Sequence, residues 1–354
     1  YGNLPSLGNV TFTGLYATDT VTPSVGISQG NASVNITTTT PAGNYTQQVT
    51  GISGNLSSNY QLASVGNTLG TLNVQPATLT YAVANTTSTY GTTPSTGNMT
   101  LSGIVASDIG NVTGTVSTLG ANGTVSLVYN TPVGNYSQQV TSLGGSAAAN
   151  YQLASSGNSN GTLTVAPATL TFAVANATSI YGTTAVLGNL TLTGVLPVDS
   201  ANVNGTVAAF DGNGSIPLVA NTPAGNYPQQ VTNLTGSAAS NYQLATSGNT
   251  LGILNVQPKT LTYSVANATS TYGTTPTLGN VNFNGLYSGD VVNATLALSN
   301  ANGTVSIAAN TPAGNYTQQV SALTGNLASN YQLALAGNTL GTLNVQPAAL
   351  TITA

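Results

Sequence analysis

Val74-Gln75-Pro76-Ala77-Thr78-Leu79-Thr80-Tyr81-Ala82-Val83, followed shortly by Tyr90-Gly91-Thr92-Thr93-Pro94, is the stretch that decides the fold. Leu79, Tyr81 and Val83 alternate with Thr80 and Ala82, the two-residue period of a half-buried strand. Pro76 has a fixed φ and no amide donor, so it interrupts the strand ladder just ahead of that alternation. The seam returns as Val165-Ala166-Pro167 running to Tyr181-Gly182, and as Val256-Gln257-Pro258 running to Tyr272-Gly273. It returns a last time, cut short, as Val345-Gln346-Pro347-Ala348-Ala349-Leu350-Thr351-Ile352-Thr353-Ala354. We read it as the joint between tandem β domains, with no linker between one domain and the next.

The landmarks are regular. Tyr-Gly pairs begin at Tyr1, Tyr90, Tyr181 and Tyr272, and Asn-Tyr-Gln-Leu-Ala blocks at Asn59, Asn150, Asn241 and Asn330. A repeat overrides the domain count that length alone suggests. The expected domains are residues 1–76 (lacking a first strand), 77–167, 168–258 and 259–347, with 348–354 as the first strand of a following unit or a donor strand. From each Tyr-Gly to the repeated Asp19, Asp108, Asp199 or Asp290 is 18 residues. From there to the Pro of the Pro-Ala/Val-Gly-Asn-Tyr motif is 22 residues in units one and four and 24 in units two and three. A change of two keeps side-chain alternation in a strand, whereas in a helix it would rotate the apolar face by more than half a turn. It predicts a hairpin lengthened by one residue per arm, or a longer loop.

Within unit two, strands are expected over residues 79–83, 99–104, 112–116, 125–129, 136–140, 151–154 and 163–165, with a helical turn at Ser146-Ala147-Ala148-Ala149. Asn122-Gly123 is a strong hairpin signal between the third and fourth of these. Seven short strands with turn signals every 8–12 residues predict an all-β, immunoglobulin-like sandwich, four in tandem, with a β-grasp-like unit as the alternative.

Composition narrows the function. The charged residues are Asp19, Asp108, Asp199, Asp211, Asp290 and Lys259, and Glu, Arg, His, Cys and Trp are absent. A typical soluble chain is about a quarter charged. No basic patch exists for nucleic acid or anionic membrane. No run approaches the ~18 apolar residues of a membrane helix. Without Cys there is no disulfide framework. The chain opens on Tyr1 rather than Met, which suggests a removed leader or a window on a longer chain. Low net charge favours association unless glycans solubilise the surface.

Few groups can carry chemistry. General acid–base catalysis draws on His, Asp, Glu, Lys, Tyr or Cys. Here Ser and Thr lack a His base, and Asp199 with Asp211 is the sole carboxylate pair within a unit. The repeated aspartates read as turn carboxylates closing Asx turns; the alternative, one calcium ligand per unit, falls short of the six to eight oxygens calcium takes. Lys259 stands where the other seams have Ala77, Ala168 and Ala348, so it reads as drift. The Asn-Tyr tyrosines (Tyr45, Tyr60, Tyr136, Tyr151, Tyr227, Tyr242, Tyr316 and Tyr331) read as half-buried, with the hydroxyl satisfied at a sheet edge. Sugar-stacking platforms are the functional alternative. Asn-X-Ser/Thr sequons are many, and Asn122, Asn204 and Asn302 lie in Asn-Gly-Thr stretches suited to glycan attachment. No catalytic residue, metal or cofactor is expected.

Tyr-Gly-Thr-Thr-Pro, Gly-Leu-Tyr-Ser-Gly-Asp (ending at Asp290), Pro-Ala-Gly-Asn-Tyr, Asn-Tyr-Gln-Leu and Gly-Thr-Leu-Asn-Val-Gln-Pro-Ala together resemble the mostly-β MBG repeats of the Tyr-Gly type. Those belong to very large bacterial surface and secreted proteins, filamentous-haemagglutinin-like adhesins among them. The resemblance spans all four units and implies an extracellular or cell-surface array, structural or adhesive, without catalysis. The expected function is a fibre or stalk whose partner is itself. Its rival is an adhesin module recognising glycan or another cell. The two ends are complementary: unit one lacks a first strand, and Leu350, Thr351, Ile352 and Thr353 have no unit to complete. Strand addition of that tail onto the next chain, at a contact including Tyr1 and Gly2, is the expected polymer link.

Overall fold

A computed structural model describes residues 1–353 of the chain. Among the described residues there is no α-helix; short strands are joined by turns and single 3-10 turns. The chain divides into two compact units, Tyr1–Ala168 and Thr169–Ala354, each containing two sequence repeats.

The first unit begins with 21 residues free of strand. Then come β1 (Thr22–Gln29), β2 (Ala32–Ser33), β3 (Gly43–Ser53) and β4 (Gly70–Val74), one antiparallel sheet in the order β2-β1-β3-β4. The second repeat follows immediately, with only Gln75 and Pro76 between. It comprises β5 (Ala77–Val83), β6 (Thr86–Thr89), β7 (Met99–Ser102), β8 (Thr113–Gly120), β9 (Gly123–Thr124), β10 (Gly134–Gly144), β11 (Tyr151–Leu153) and β12 (Gly161–Ala166). These form two sheets, β6-β12-β10-β8-β9 and β11-β5-β7.

The opening segment of the repeat serves both sheets. β5 pairs with β7 antiparallel and β11 parallel, then the chain crosses at Ala84 and Asn85 to run as β6 parallel to β12. The crossing is pinned at both residues: the Ala84 amide donates to Asn98 O (2.8 Å), and Asn85 Oδ1 accepts the Thr162 amide (2.8 Å). The sheets face each other across a core set by the alternation in β5. Tyr81 and Val83 pack with Met99, Leu101 and Leu153 of their own sheet against Val116 and Val140 of the other. Leu79 is fully buried in the neighbouring cluster with Val112 and Tyr151. This is a sandwich packed face to face.

In the second unit the same strand order occurs twice. One sandwich runs from Ala168–Val174 to Gly252–Gln257, the other from Lys259–Val265 to Gly341–Gln346. Leu170 and Leu261 take the place of Leu79, again fully buried. The fold is therefore a tandem array of immunoglobulin-like β-sandwich repeats. The β-grasp alternative needs a helix laid across its sheet, and the described residues provide none.

The first repeat has one sheet rather than two. β5 is the central strand of its sheet and the shared partner of β7 and β11. The first repeat contains no counterpart of β5. Residues 10–13 and 60–62, which correspond to β7 and β11, accordingly form no strand.

Two local features differ from expectation, and one open alternative is decided. The arm after the Asn122-Gly123 turn is the two-residue β9, and residues 125–129 leave the sheet, with only the Val125 amide still reaching Thr118 O (2.8 Å). β6 was not foreseen, because Thr86-Thr87-Ser88-Thr89 has no apolar alternation. The two-residue length difference is a longer loop. β1 and Asn293–Asn300 start three residues after their aspartates, β8 and Asn204–Asp211 five residues after theirs. The helical turn is present as 3-10 at Ala148–Asn150.

Candidate functional site: one carboxylate shared by two tyrosines

The repeated aspartate and two repeated tyrosines meet where one repeat joins the next. For Tyr181 the route is set by the parallel pairing of Ala177–Ile180 with Gly252–Gln257. Both strands finish at the same end of the domain, so the Tyr181-Gly182 pair arrives beside the seam. In the second unit the Tyr181 amide donates to Gln257 O (2.9 Å), just ahead of Pro258, and the Gly182 amide to Ala220 O (2.8 Å). In the first unit the Tyr1 nitrogen donates to Gln75 O (2.7 Å) and the Gly2 amide to Thr38 O (3.0 Å). Gly2 and Gly182 have φ of +85° and +90°, a left-handed conformation that glycine adopts without strain.

From that position the tyrosine reaches the following repeat. Tyr1 donates its hydroxyl to Asp108 Oδ2 (2.6 Å), and Tyr151, from the same repeat as Asp108, donates to the same oxygen (2.8 Å). In the second unit Tyr181 donates to Asp290 Oδ2 (2.8 Å), as does Tyr331. Ser107 Oγ donates to the other oxygen of Asp108 (3.2 Å). Tyr151 OH in turn accepts the Val105 amide (3.0 Å), and Tyr331 OH the Tyr287 amide (3.0 Å). The rings pack edge to face: Tyr1 on Tyr151 with centroids 5.4 Å apart, Tyr181 on Tyr331 at 5.3 Å. Such pairs are worth ~0.5–1.5 kcal/mol beyond the area they bury. A second bond crosses each junction. Asn150 Oδ1 accepts the Ala42 amide (3.0 Å), and Asn330 Oδ1 the Ala224 amide (2.8 Å).

The electrostatics follow from this wiring. Bonds from Tyr1 and Tyr151 hold the Asp108 carboxyl below its ordinary range. Burial, and then the bond to the carboxylate, pushes Tyr1 and Tyr181 up to about 12 and raises Tyr331 as well. In the first unit the shifts oppose each other, Asp108 down and Tyr1 up, so the carboxylate stays charged and the phenol stays protonated around neutral pH. A buried carboxylate without a cation is costly unless hydrogen bonds satisfy it, and here hydroxyls do that.

The aspartate side chain therefore does not close an Asx turn. Its backbone amide makes the turn, Asp108 N to Val105 O (2.8 Å) and Asp290 N to Tyr287 O (3.0 Å), leaving the carboxylate to the tyrosines. Asp211 does form an Asx turn, accepting the Asn213 amide (2.8 Å). The Asn-Tyr tyrosines fall into two classes. Tyr60, Tyr151, Tyr242 and Tyr331 bond the aspartate of their own repeat. Tyr45, Tyr136, Tyr227 and Tyr316 donate to the carbonyl of the proline four residues earlier, at 2.7–2.9 Å. This is a tyrosine-corner arrangement. Tyr1 and Gly2, expected at a polymer contact, are engaged within the chain, because Tyr-Gly belongs to the seam end of its domain. Asn122 and Asn302 lie exposed at hairpin turns, and Asn204 lies exposed at the start of a strand, its Oδ1 accepting the Gly205 amide (2.8 Å). Leu350, Thr351, Ile352 and Thr353 extend past the last strand, exposed. No cluster of three or more metal-ligating side chains occurs among the described residues.

The fold and its junctions define a tandem β-sandwich repeat protein. No family model matches the chain, and no curated protein matches it. Among solved structures, the titin I9–I11 tandem is 12% identical, covering 76% of this chain and 100% of its own, with a TM-score of 0.25. Drosophila N-cadherin EC1–4 is 8% identical over 98% of this chain and 96% of its own, TM-score 0.27. The Bacillus anthracis TIE protein is 11% identical over 93% and 67%, TM-score 0.18. These superpositions are loose, and the fold rests on the strand pairing itself.

Proposed function

We propose that the chain is a non-catalytic structural array, the fibre or stalk of an extracellular or cell-surface assembly. The observation that carries this reading is the junction. The same carboxylate, the same two phenols and the same Asn–amide bond recur between consecutive repeats in both units, so repeats are joined by specified contacts rather than a linker. Catalysis is disfavoured by the direction of the shifts. A general base works best with a pKa near the operating pH, whereas Asp108 is held low and its tyrosine partner Tyr1 is pushed up to about 12. No helix among the described residues is long and apolar enough to cross a membrane. A sugar-stacking role for the Asn-Tyr tyrosines has little support at Tyr45, Tyr151, Tyr242, Tyr316 and Tyr331, whose rings are buried and offer no open face.

Electron microscopy of cells that make the chain tests the proposal. Surface filaments or stalks beaded at the repeat spacing and labelled by antibody to the chain are expected. Label confined to the cytoplasm would overturn it. So would saturable binding on a glycan array that is lost in Tyr60→Ala and Tyr136→Ala.

A further inference from the structure

Every repeat carries Asn-X-Ser/Thr at the same place, the tip of the hairpin on the edge of its sheet: Asn31-Ala32-Ser33, Asn122-Gly123-Thr124, Asn213-Gly214-Ser215 and Asn302-Gly303-Thr304. In all four the asparagine is the second residue of a two-residue loop, closed by Gln29 with Ala32, Gly120 with Gly123, Asp211 with Gly214 and Asn300 with Gly303. No other position keeps the motif in all four repeats. Asn44, Asn135 and Asn315 have the hydroxyl residue two places on, but Asn226 has Pro228 there. Asn9, Asn98 and Asn189 have it, but Asn280 is followed by Asn282. At the tip the middle residue varies between Ala and Gly and the third between Ser and Thr, and the motif survives each change.

Turn chemistry does not account for the asparagine. Asn in a tight hairpin is favoured chiefly where φ is positive, and among the described residues only glycines have positive φ. In the first hairpin the left-handed residue is Gly30 (φ +58°), ahead of the asparagine; in the others it is the glycine after it, Gly123 (+110°), Gly214 (+133°) or Gly303 (+111°). The turn changes its pivot while the asparagine and the hydroxyl two residues on stay. All three residues of each motif are exposed, and none of the four asparagine side chains is held by a hydrogen bond among the described residues. Asparagines of the same motif within the sheets are committed elsewhere. Asn85, Asn176 and Asn267 each accept a backbone amide through Oδ1 at 2.8 Å. Asn135 and Asn315 accept bonds across the ladder from Thr164 and Asn344, at 2.9 and 2.7 Å.

The tips also mark an open edge. β8 pairs with β10 along its length, but on its other side only Leu119 and Gly120 pair, with β9. Thr113 to Ser117 therefore present an unpaired backbone edge, free of charge and of proline. Such an edge invites pairing with another chain, and proteins commonly guard it with Lys or Pro. This chain has a single lysine and a net charge of −4 over 354 residues, so its own side chains supply little repulsion between copies. We infer that Asn31, Asn122, Asn213 and Asn302 each carry an N-linked glycan, a bulky solvated group that screens the edge of each sheet. The inference rests on the extracellular reading above, since this acceptor sequence is used on surface loops of secreted chains. The donor class is an oligosaccharide linked through pyrophosphate to a polyprenyl lipid. The asparagine Nδ2 bonds to C1 of the first sugar and gives up one proton, the bond from C1 to the phosphate oxygen breaks, and the lipid pyrophosphate leaves.

The test is mass spectrometry of peptides from the chain isolated from the cells that make it, cut with chymotrypsin because Lys259 is the sole tryptic site. Carbohydrate mass is expected on the peptides holding the four tip asparagines and none on those holding Asn85, Asn176 or Asn267. Thr124→Ala is expected to strip the glycan from Asn122 alone, and Thr124→Ser to keep it. Both leave the asparagine in place on an exposed turn, so a folding defect does not mimic the result. With Asn31→Gln, Asn122→Gln, Asn213→Gln and Asn302→Gln combined, the chain is expected to lose that carbohydrate and to precipitate at concentrations where the glycosylated chain stays clear. Sugar-free tips on a chain that antibody finds at the cell surface overturn the inference and leave the structural-array reading standing. Sugar equally present on Asn85, Asn176 and Asn267 also overturns it, because exposure at the tip then selects nothing. A combined variant that stays clear overturns the screening role. Label confined to the cytoplasm overturns the array reading, and this inference with it.

Discussion

Asp108→Ala isolates what the shared carboxylate contributes. The side chain is buried and receives two phenol hydroxyls, at 2.6 and 2.8 Å. A hydrogen bond to a charged group is worth ~1.5–3 kcal/mol. Only the Tyr1 bond crosses the junction, since Tyr151 lies in the same repeat as Asp108; taking the low end for that one bond, the junction between the first two repeats loses about 1.5 kcal/mol. At ~1.4 kcal/mol per factor of ten, its opening equilibrium rises about tenfold. Native-state hydrogen exchange read by mass spectrometry locates the effect. The informative amides are those of Val105, bonded to Tyr151 OH, and Ala42, bonded to Asn150 Oδ1. Their protection is expected to fall by that factor, while Tyr287 and Ala224 in the second unit keep theirs. Asp290→Ala reverses the pattern. Asp108→Asn retains an acceptor oxygen and is expected to lose only about threefold. If Val105 and Ala42 exchange within threefold of the unaltered chain in Asp108→Ala, the carboxylate does not hold the junction and the reasoning fails.

Other substitutions follow from the same geometry. A Cβ on Gly97 would sit 1.9 Å from Ala84 O and one on Gly188 1.8 Å from Ala175 O, whereas on Gly8 it meets only the Gln47 side chain at 3.6 Å. Gly97→Ala and Gly188→Ala are expected to cost at least 3 kcal/mol by forcing backbone apart and Gly8→Ala less than about 0.5, which denaturant titration of each variant checks. Gln229, fully buried, accepts the Gly188 amide (2.8 Å); Gln229→Leu strands that amide and is expected to cost about 1–3 kcal/mol by the same titration. The pH dependence has two edges. Tyr181, raised to about 12, adds stability that is complete below the ordinary tyrosine range near ~10 and is lost as pH climbs to about 12. In Asp290→Ala its phenolate absorbance is expected to develop at lower pH. Asp108, held low, adds stability that is complete above ~4 and is lost as pH falls through its depressed value, which near-ultraviolet circular dichroism follows.

Much of the fold was legible because the strands that bury side chains alternate. Leu79, Tyr81 and Val83 predicted β5, and Leu163 with Val165 predicted β12. β6 was invisible for the converse reason: its Thr and Ser side chains bury little, and its place is fixed by backbone pairing to β12. The reach of residues 125–129 was overstated because alternation also serves a loop that packs under the sheet. The clasp was half legible. Asp19, Asp108, Asp199 and Asp290 stood out as nearly the only charges, each 18 residues from a Tyr-Gly pair. That spacing was read within a repeat. The partner actually lies one repeat away, 107 residues for Tyr1 and Asp108 and 109 for Tyr181 and Asp290. For Tyr181 it is the parallel course of Ala177–Ile180 beside Gly252–Gln257, which no local pattern reveals, that brings the tyrosine to the seam.

That parallel pair has a mechanical consequence. A pull on the chain enters the second repeat at Ala77 and leaves it at Ala166. It drags β6 and β12 past each other lengthwise, so the bonds over Thr86–Thr89 resist together instead of opening one at a time. The third and fourth repeats are braced alike, through Ala177–Ile180 and Ala268–Thr271.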